Sequence, residues 1–259
     1  MREAVIVSTA RTPIGKAFRG AFNDTQAQEM AGHAIAEAVK RSKVSKEEID
    51  DVIIGAAGQQ GSQQGNIGRQ SLLRAGLPVS VAGMSLDRQC ASGMMAIATA
   101  AKEITEDGMT ITVGGGVESV SLVRNENFRM DRARDPWLEE NIPSLYMTMI
   151  ETAENVAKRY GISRESQDEY SLQSQRRTAN AQKNGFMDKE IVPLKSTMKY
   201  KDNETGEISS HDVCIEKDEG NRPSTTFEGL SALKPVFKDG IYLKEGEYIT
   251  AGNASQLSD

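Results

Sequence analysis

Cys90 lies between a segment with the pattern of a strand, ending near Leu86, and an apolar segment with the pattern of a helix, Gly93–Ala101. Since Gly93–Ala101 holds no charged residue, we expect this helix to be buried on all sides, with its N-terminus and Cys90 facing a cavity. A helix N-terminus stabilises an anion through its free N–H groups and its dipole, and a cysteine thiolate there is a nucleophile. The alternative is a structural cysteine of the core.

The other cysteine and the two histidines form no recognisable site. Cys214 is interpreted as an incidental residue beside or on an edge strand. His33 lies off the apolar face of a predicted helix, so we expect a solvated side chain and not a catalytic base, and His211 lies in a charged segment. The spacing of the two histidines and the two cysteines does not resemble a zinc site, and no metal is expected.

The composition of the chain excludes several classes of partner. Among 259 residues, 31 are Lys or Arg and 37 are Asp or Glu, so the net charge of −6 argues against general nucleic-acid binding. This net charge is compatible with a local basic patch that binds an acidic ligand. The first residues are too acidic for a signal peptide, and no apolar run approaches the ~20 residues that span a bilayer. We therefore expect a cytoplasmic protein with free thiols and no membrane or nucleic-acid partner.

Strand and helix patterns alternate along the first part of the chain, which predicts an α/β fold on a mostly parallel sheet. A capping-box pattern at Ser45–Glu48 predicts a helical turn. The predicted helices are Thr25–Lys40 and Asn66–Ala75, and the predicted strands are Glu3–Ser8, Asp51–Gly55, Val81–Leu86 and Thr110–Val113.

The pattern changes after Glu118. The predicted domains are accordingly 1–121, which carries the nucleophile, an inserted domain at 122–247, and a return to the first domain at 248–259. Within the insertion we predict an irregular arginine-rich stretch at Leu122–Trp137 and two helices, at Thr152–Tyr160 and Ser163–Asn184, the second of them mostly exposed to solvent. A short strand at Glu190–Leu194 and a charged loop at Lys201–Asn221 follow.

Six segments in a fixed order carry a resemblance to a known family. They are RTPIG (11–15), QGNIGRQ (64–70), QCASG (89–93), GGVES (115–119), TAENVA (152–157) and GNAS (252–255). Together they cover almost the whole chain, and the set is highly specific although no single segment is. On these segments the chain resembles the thiolases, the acetyl-CoA acetyltransferases and 3-ketoacyl-CoA thiolases.

The resemblance implies roles for four residues. Cys90 takes the acyl group as a thioester, and the insertion 122–247 is a loop domain that covers the active site and binds coenzyme A. Arg222 matches a contact to coenzyme A, Ser255 a serine beside the pantetheine arm, and Met149 a methionine that shapes the acyl pocket. The alternatives are a surface arginine, a turn residue and a methionine of the core.

The activity that the resemblance implies is cleavage of a 3-ketoacyl-CoA by coenzyme A, or the reverse Claisen condensation, in a homodimer or homotetramer. Coenzyme A and acyl-CoA would be substrates, with no permanently bound cofactor. A condensing enzyme similar to the ketoacyl synthases is one alternative, although the GNAS segment and the loop domain argue against it. A coenzyme-A-binding module without chemistry is the other.

The chain departs from the family pattern in two places. Asp87 stands where the family often has Asn, and a carboxylate facing Cys90 would oppose a thiolate, so we expect Asp87 to point away or to pair with Arg88 or Arg69. The sequence stops at Gln256–Asp259, within a family motif. The family's C-terminal half, with the histidine of a Gly-His-Pro motif and a second cysteine, is then absent, and we expect an N-terminal fragment that is inactive alone.

Overall fold

The computed structural model describes residues 2–259, and its contacts divide the chain into two compact units. The first unit comprises Met1–Phe128, Met187–Gly220 and Leu257–Asp259. The second comprises Arg129–Phe186 and Asn221–Gln256. Among the described residues, no helix combines the length and the apolar composition that a membrane crossing requires.

A three-stranded parallel sheet lies at the centre of the first unit, in the order β2-β1-β3. The strands are β1 (Asp51–Gly55), β2 (Ala82–Leu86) and β3 (Thr112–Gly116). All five residues of β1 are buried, as expected for a middle strand that is covered on both faces. The predicted parallel sheet is confirmed, and β1 has its predicted bounds. Strand β3 begins two residues later than the predicted strand Thr110–Val113, and it continues through the three glycines that follow Val113.

Helices cover both faces of this sheet because the side chains of β1 alternate between them. Val52 and Ile54 join a core with the helices that precede and follow β1, while Ile53 packs against a third helix. The helices of the first unit are α1 (Ala27–Ser42), α2 (Ile67–Arg74), α3 (Ser92–Thr105) and α4 (Val120–Val123).

Helix α3 is covered on one side only, so the predicted burial on all sides is wrong for the described residues. Ala96 and Ala100 are buried against β1. Met94 and Ile97 lie on the opposite side, 76% and 48% exposed. The physical reason is that the sheet reaches one face of the helix, and no other described element covers the second face.

The predicted strand Glu3–Ser8 is also not formed. Val5, Ile6 and Val7 are between 69% and 77% exposed, and this segment belongs to neither sheet. An extended apolar segment becomes a strand only when a neighbour takes up its backbone hydrogen bonds. Within residues 2–259, the edge strands β2 and β3 do not pair with it.

A two-stranded antiparallel hairpin completes the first unit, formed by β4 (Leu194–Lys201) and β5 (Ile208–Ile215). The pattern assigned most of β5 to a charged loop. Cys214 lies on β5, opposite Lys195, which confirms the predicted edge-strand position. Leu194 packs against Phe22 and Met30. Because of these contacts the hairpin groups with the first unit, although its residues fall within the predicted insertion 122–247.

The second unit is built from helices and irregular segments. Its helices are α5 (Pro136–Asn141), α6 (Met149–Tyr160), α7 (Arg164–Lys183) and α8 (Phe227–Ser231). The predicted N-cap Ser163 is confirmed, since its hydroxyl accepts a hydrogen bond from the backbone N–H of Ser166. Gly161 ends α6 in the left-handed conformation, with φ of 63°.

Substituting Gly114 is expected to destabilise the first unit, because β3 and α3 approach closely there. A Cβ on Gly114 would lie 2.7 Å from the Cα of Ile97 and 3.1 Å from the Cβ of Ala100. The Gly114→Ala variant should lose about 1–3 kcal/mol of unfolding free energy in urea. Gly115→Ala is the control, since its Cβ would meet nothing nearer than 3.7 Å, and equal losses in the two variants would contradict this packing.

A pair of buried carboxyls should make stability depend on pH. Burial raises the pKa of Glu103, and the negative charges of Asp51 and Asp107 raise it further; burial also raises the pKa of Asp51. An acid with a raised pKa binds its proton more tightly in the folded state, so its contribution to stability is greatest at acidic pH and is lost as pH rises through the raised pKa.

Glu103→Gln removes one of these titrating groups. We therefore expect the urea midpoint of the variant to rise relative to that of the wild type between about pH 4 and about pH 7. The same pH dependence in both proteins would show that Glu103 does not titrate in the folded state as described.

Candidate active site

Cys90 lies in a tight turn between the end of β2 and the start of α3, and it is exposed. Gln89 adopts the left-handed conformation, with φ of 49°, which reverses the chain within a few residues. The N–H of Ala91 donates to the carbonyl of Arg88 at 3.1 Å. Ala91 is the N-cap of α3, so Cys90 lies one residue before the cap instead of inside the first turn. The predicted strand, turn and helix around Cys90 are present.

Ser92 holds this turn together, a role that the sequence analysis did not assign. Its Oγ accepts the N–H of Arg88 at 2.9 Å and donates to the carbonyl of Gln89 at 2.6 Å. Ser92 is 4% exposed, so both hydrogen bonds are shielded from water. The sequence did offer a signal for this role, because a serine in the first turn of a helix, two residues after a candidate nucleophile, can form hydrogen bonds with the nearby backbone.

Asp87 is paired with the same turn and not with an arginine. Its Oδ1 accepts the N–H of Gln89 at 2.7 Å. Arg69, one expected partner, instead donates to the carbonyls of Val79 and Val81. The carboxylate thus supports the backbone just before Cys90.

Three glycines let the start of α3 approach the strand ends. A Cβ on Gly55 would lie 2.2 Å from the carbonyl of Ser92, and one on Gly116 would lie 2.9 Å from the Cα of Gly93. The turn of Cys90 therefore lies at the edge of the sheet where the parallel strands end. In open α/β sheets this carboxyl edge is where ligands bind.

A half-buried polar network joins the loops that follow β1 and β3 at the same edge. Glu118 accepts the N–H groups of Ala57 and Gly58 at 2.9 and 3.2 Å, and the side-chain amide of Gln63 at 2.8 Å. Gln63 is fully buried and also donates to the carbonyl of Gly58 at 2.8 Å. The network fixes two of the loops that surround the strand ends, and the sequence analysis assigned it no role.

The other three predicted site residues belong to the second unit. Met149 is the first residue of α6 and 76% exposed, so the core-packing alternative does not hold. Arg222 is exposed, and its backbone N–H donates to Oε1 of Gln175 at 2.8 Å. Ser255 is exposed, and its Oγ donates only a long hydrogen bond of 3.5 Å, to the carbonyl of Gln256. Cys90 lies in the first unit.

Both histidines are engaged away from Cys90. The Nε2 of His33 lies 3.0 Å from the carbonyl oxygen of Pro193, and the Nε2 of His211 lies 2.9 Å from the Oγ of Ser209. Over residues 2–259, no group of three or more His, Cys, Asp or Glu side chains is arranged to hold a metal ion.

Comparison of the chain with known proteins identifies its family. The model of the thiolase N-terminal domain matches residues 4–259. The chain is 39% identical to the 3-ketoacyl-CoA thiolase of Bacillus subtilis, over all of this chain and 64% of that protein. It is 37% identical to a 3-ketoacyl-CoA thiolase of Mus musculus named as peroxisomal, over 99% of this chain and 58% of that protein.

A solved structure agrees with these sequences. The crystal structure of the acetyl-CoA acetyltransferase of Bacillus anthracis matches all of this chain and 64% of its own, with a TM-score of 0.80 and 36% identity. The chain thus spans between 58% and 64% of the length of these proteins. The resemblance seen in the six sequence segments is confirmed, and the chain belongs to the thiolase family.

Proposed function

We propose that the full-length protein is an acyltransferase that cleaves a 3-ketoacyl-CoA with coenzyme A, or condenses two acyl-CoA molecules in reverse, through a thioester on Cys90. The observation that carries this proposal is the exposed Cys90 in its braced turn, where the parallel strands end and α3 begins. The thiolate form of a cysteine is the nucleophile in reactions of this kind. Four relatives of the chain are named as thiolases, and this supports the same reaction.

In the first half-reaction the Cys90 thiolate attacks the keto carbon of the substrate. The bond between the keto carbon and the α-carbon breaks, and its electron pair stays on the α-carbon as the enolate of acetyl-CoA. An acid protonates that carbon and acetyl-CoA leaves, while the remaining acyl group stays on Cys90. Hydrogen-bond donors aimed at the developing oxyanion are the usual source of the largest catalytic effect.

In the second half-reaction coenzyme A loses its thiol proton to a base and attacks the acyl-Cys90 thioester. The shortened acyl-CoA leaves, and the Cys90 thiolate is restored. Splitting one difficult carbon–carbon cleavage into two thioester steps lowers the barrier of each. We assign the acid and base to neither His33 nor His211, because each is engaged with another residue.

The proposed contacts to coenzyme A are Arg222, Ser255 and Met149, in the predicted loop domain 122–247 and the segment after it. Arg222 offers an exposed guanidinium, which stays charged and suits phosphate oxygens. Ser255 offers an exposed hydroxyl, and Met149 an exposed thioether that can contact an acyl chain. Coenzyme A and acyl-CoA are then substrates, and no permanently bound cofactor is part of the proposal.

We further propose a homodimer or homotetramer in the cytoplasm. The exposed Met94 and Ile97 on α3 support association, since soluble proteins rarely leave an apolar helix face in water. Two free cysteines support a reducing compartment. The mouse relative is named as peroxisomal, so localisation of the full-length protein to peroxisomes would contradict this part of the proposal.

The direct test is to incubate the purified full-length protein with acetoacetyl-CoA and coenzyme A and to measure acetyl-CoA. We expect two acetyl-CoA for each acetoacetyl-CoA consumed. Binding of coenzyme A without cleavage would favour the coenzyme-A-binding module. Condensation that needs an acyl group on a carrier protein would favour an enzyme similar to the ketoacyl synthases. Either result would overturn the proposed reaction.

A further inference from the structure

One face of helix α7 carries two polar residues, each bonded to a segment that holds a proposed coenzyme-A contact. Asp168, Leu172 and Gln175 are spaced by four and then three residues, which places them on one side of the helix. Asp168 is 1% exposed and Leu172 is 8% exposed. The sequence pattern predicts that most of α7 is exposed to solvent. The stripe that contains the buried Asp168 and Leu172 is the exception.

At the N-terminal end of the stripe, Asp168 holds the turn that leads to Ser255. Its Oδ1 accepts the side-chain amide of Asn253 at 3.0 Å. That amide also donates to the carbonyl of Tyr248 at 2.9 Å, and the Oδ1 of Asn253 accepts the N–H of Thr250 at 2.7 Å. Every polar atom of the Asn253 side chain is thus bonded within or beside the turn, which fixes its conformation two residues before Ser255.

Arg164 balances the charge of Asp168 and connects it to α8. Its Nε lies 2.8 Å from the Oδ2 of Asp168, with 22% of the arginine side chain exposed. Its Nη2 donates to the carbonyls of Leu230 and Leu233 at 2.8 and 3.0 Å. The turn before Ser255 and the end of α8 are therefore fixed to the same ion pair.

At the other end of the stripe, Gln175 holds the segment of Arg222. Its Oε1 accepts the backbone N–H of Arg222 at 2.8 Å and the side-chain amide of Asn221 at 2.9 Å. The same amide of Asn221 donates to the backbone carbonyl of Gln175, also at 2.9 Å. Three hydrogen bonds thus attach the residues at the base of the Arg222 side chain to one residue of α7.

We propose that α7 sets the spacing between the two ends of the coenzyme-A site, with Gln175 and Asp168 as positioning residues. This inference rests on the proposed function. Seven residues of α-helix separate the two anchors by about 10 Å along the helix axis. Coenzyme A has a phosphate-bearing nucleotide at one end and the pantetheine thiol at the other. Gln175 then positions the arginine for the nucleotide end, and Asp168 positions the serine for the pantetheine end.

The two anchors should consequently be separable with a truncated substrate. A Gln175→Leu variant loses the acceptor that holds Arg222 but leaves the turn of Ser255 in place. We expect the KM for acetoacetyl-CoA to rise about tenfold, which is the size of effect that one or two lost hydrogen bonds produce. The KM for acetoacetyl-pantetheine, which has no nucleotide, should stay at the wild-type value, and so should kcat with both substrates.

Three further variants make the test specific. Gln175→Glu keeps the acceptor oxygens and should restore the wild-type KM for acetoacetyl-CoA. Gln173→Leu makes the same chemical change at an exposed position of α7 and should change neither KM. Arg222→Ala should raise the KM for acetoacetyl-CoA as Gln175→Leu does.

If the KM for acetoacetyl-CoA rises in Arg222→Ala but not in Gln175→Leu, the positioning role of Gln175 is overturned, while the proposed contact of Arg222 with coenzyme A stands. Equal increases in KM for both substrates in Gln175→Leu would overturn it as well, because they would show a general loss of structure. An unaffected Arg222→Ala variant in an active protein would overturn the coenzyme-A contact of the proposed function and this inference with it.

Discussion

Replacing Cys90 by serine is expected to lower kcat/KM for cleavage of acetoacetyl-CoA by at least about a thousandfold. Serine has nearly the same size, so the turn around residue 90 and its bonds to Ser92 should persist. A serine hydroxyl stays protonated where a cysteine forms the thiolate, and the attack on the keto carbon loses its nucleophile.

The matched control is Cys214→Ser, at the other exposed cysteine of the chain. Cys214 lies on β5, opposite Lys195, and has no part in the proposed reaction. This variant should keep wild-type kcat and KM. Turnover within a factor of about ten of wild type in Cys90→Ser would mean that another group forms the acyl intermediate.

Replacing Glu154 by leucine is expected to destabilise the second unit strongly. Glu154 is 1% exposed, and its two oxygens accept the backbone N–H groups of Glu247, Tyr248 and Ile249 at 2.7 to 3.1 Å. Leucine fills a similar volume but accepts no hydrogen bond. Each N–H left unpaired in the interior costs about 1–3 kcal/mol, so the loss of unfolding free energy should exceed about 3 kcal/mol.

Thermal and urea unfolding, followed by circular dichroism, measure this loss. Glu169→Leu is the control, because Glu169 is exposed on α7 and the same substitution there should change stability by less than about 0.5 kcal/mol. Similar losses in the two variants would contradict the role of Glu154 as the acceptor for three backbone groups.

Elements set by neighbouring residues were predictable from the sequence. The apolar run of β1, the capping box at Ser45 and the N-cap at Ser163 all depend on residues within a few positions of one another. Local patterns carry this information because caps and strand runs are local interactions.

Elements that depend on distant partners were not predictable in this way. Val5–Val7 has the composition of a strand but no strand beside it among the described residues. Met94 lies in the uncharged part of α3, Gly93–Ala101, yet its exposure depends on which faces of the helix other elements reach. The hairpin of β4 and β5 consists largely of polar residues, whose pairing no hydrophobic pattern reveals.

The residues of the candidate site also differ in whether local sequence or distant partners determine their roles. Cys90 stands out because its local strand, turn and helix pattern and its family motif agree. Glu154 lies within a family motif, but its backbone partners are 93 to 95 residues away. Gln175 bonds to residues 46 and 47 positions along the chain, so only the folded structure connects it to Arg222.

Rapid chemical quench of the full-length protein, followed by peptide mass spectrometry, detects an acyl group carried by Cys90. The protein is mixed with acetoacetyl-CoA, quenched at successive times and digested. We predict a peptide containing Cys90 that gains the mass of one acetyl group at least as fast as turnover, and loses it when coenzyme A is added. Turnover without acetylated Cys90, or an adduct that coenzyme A does not discharge, would rule out acyl transfer through Cys90.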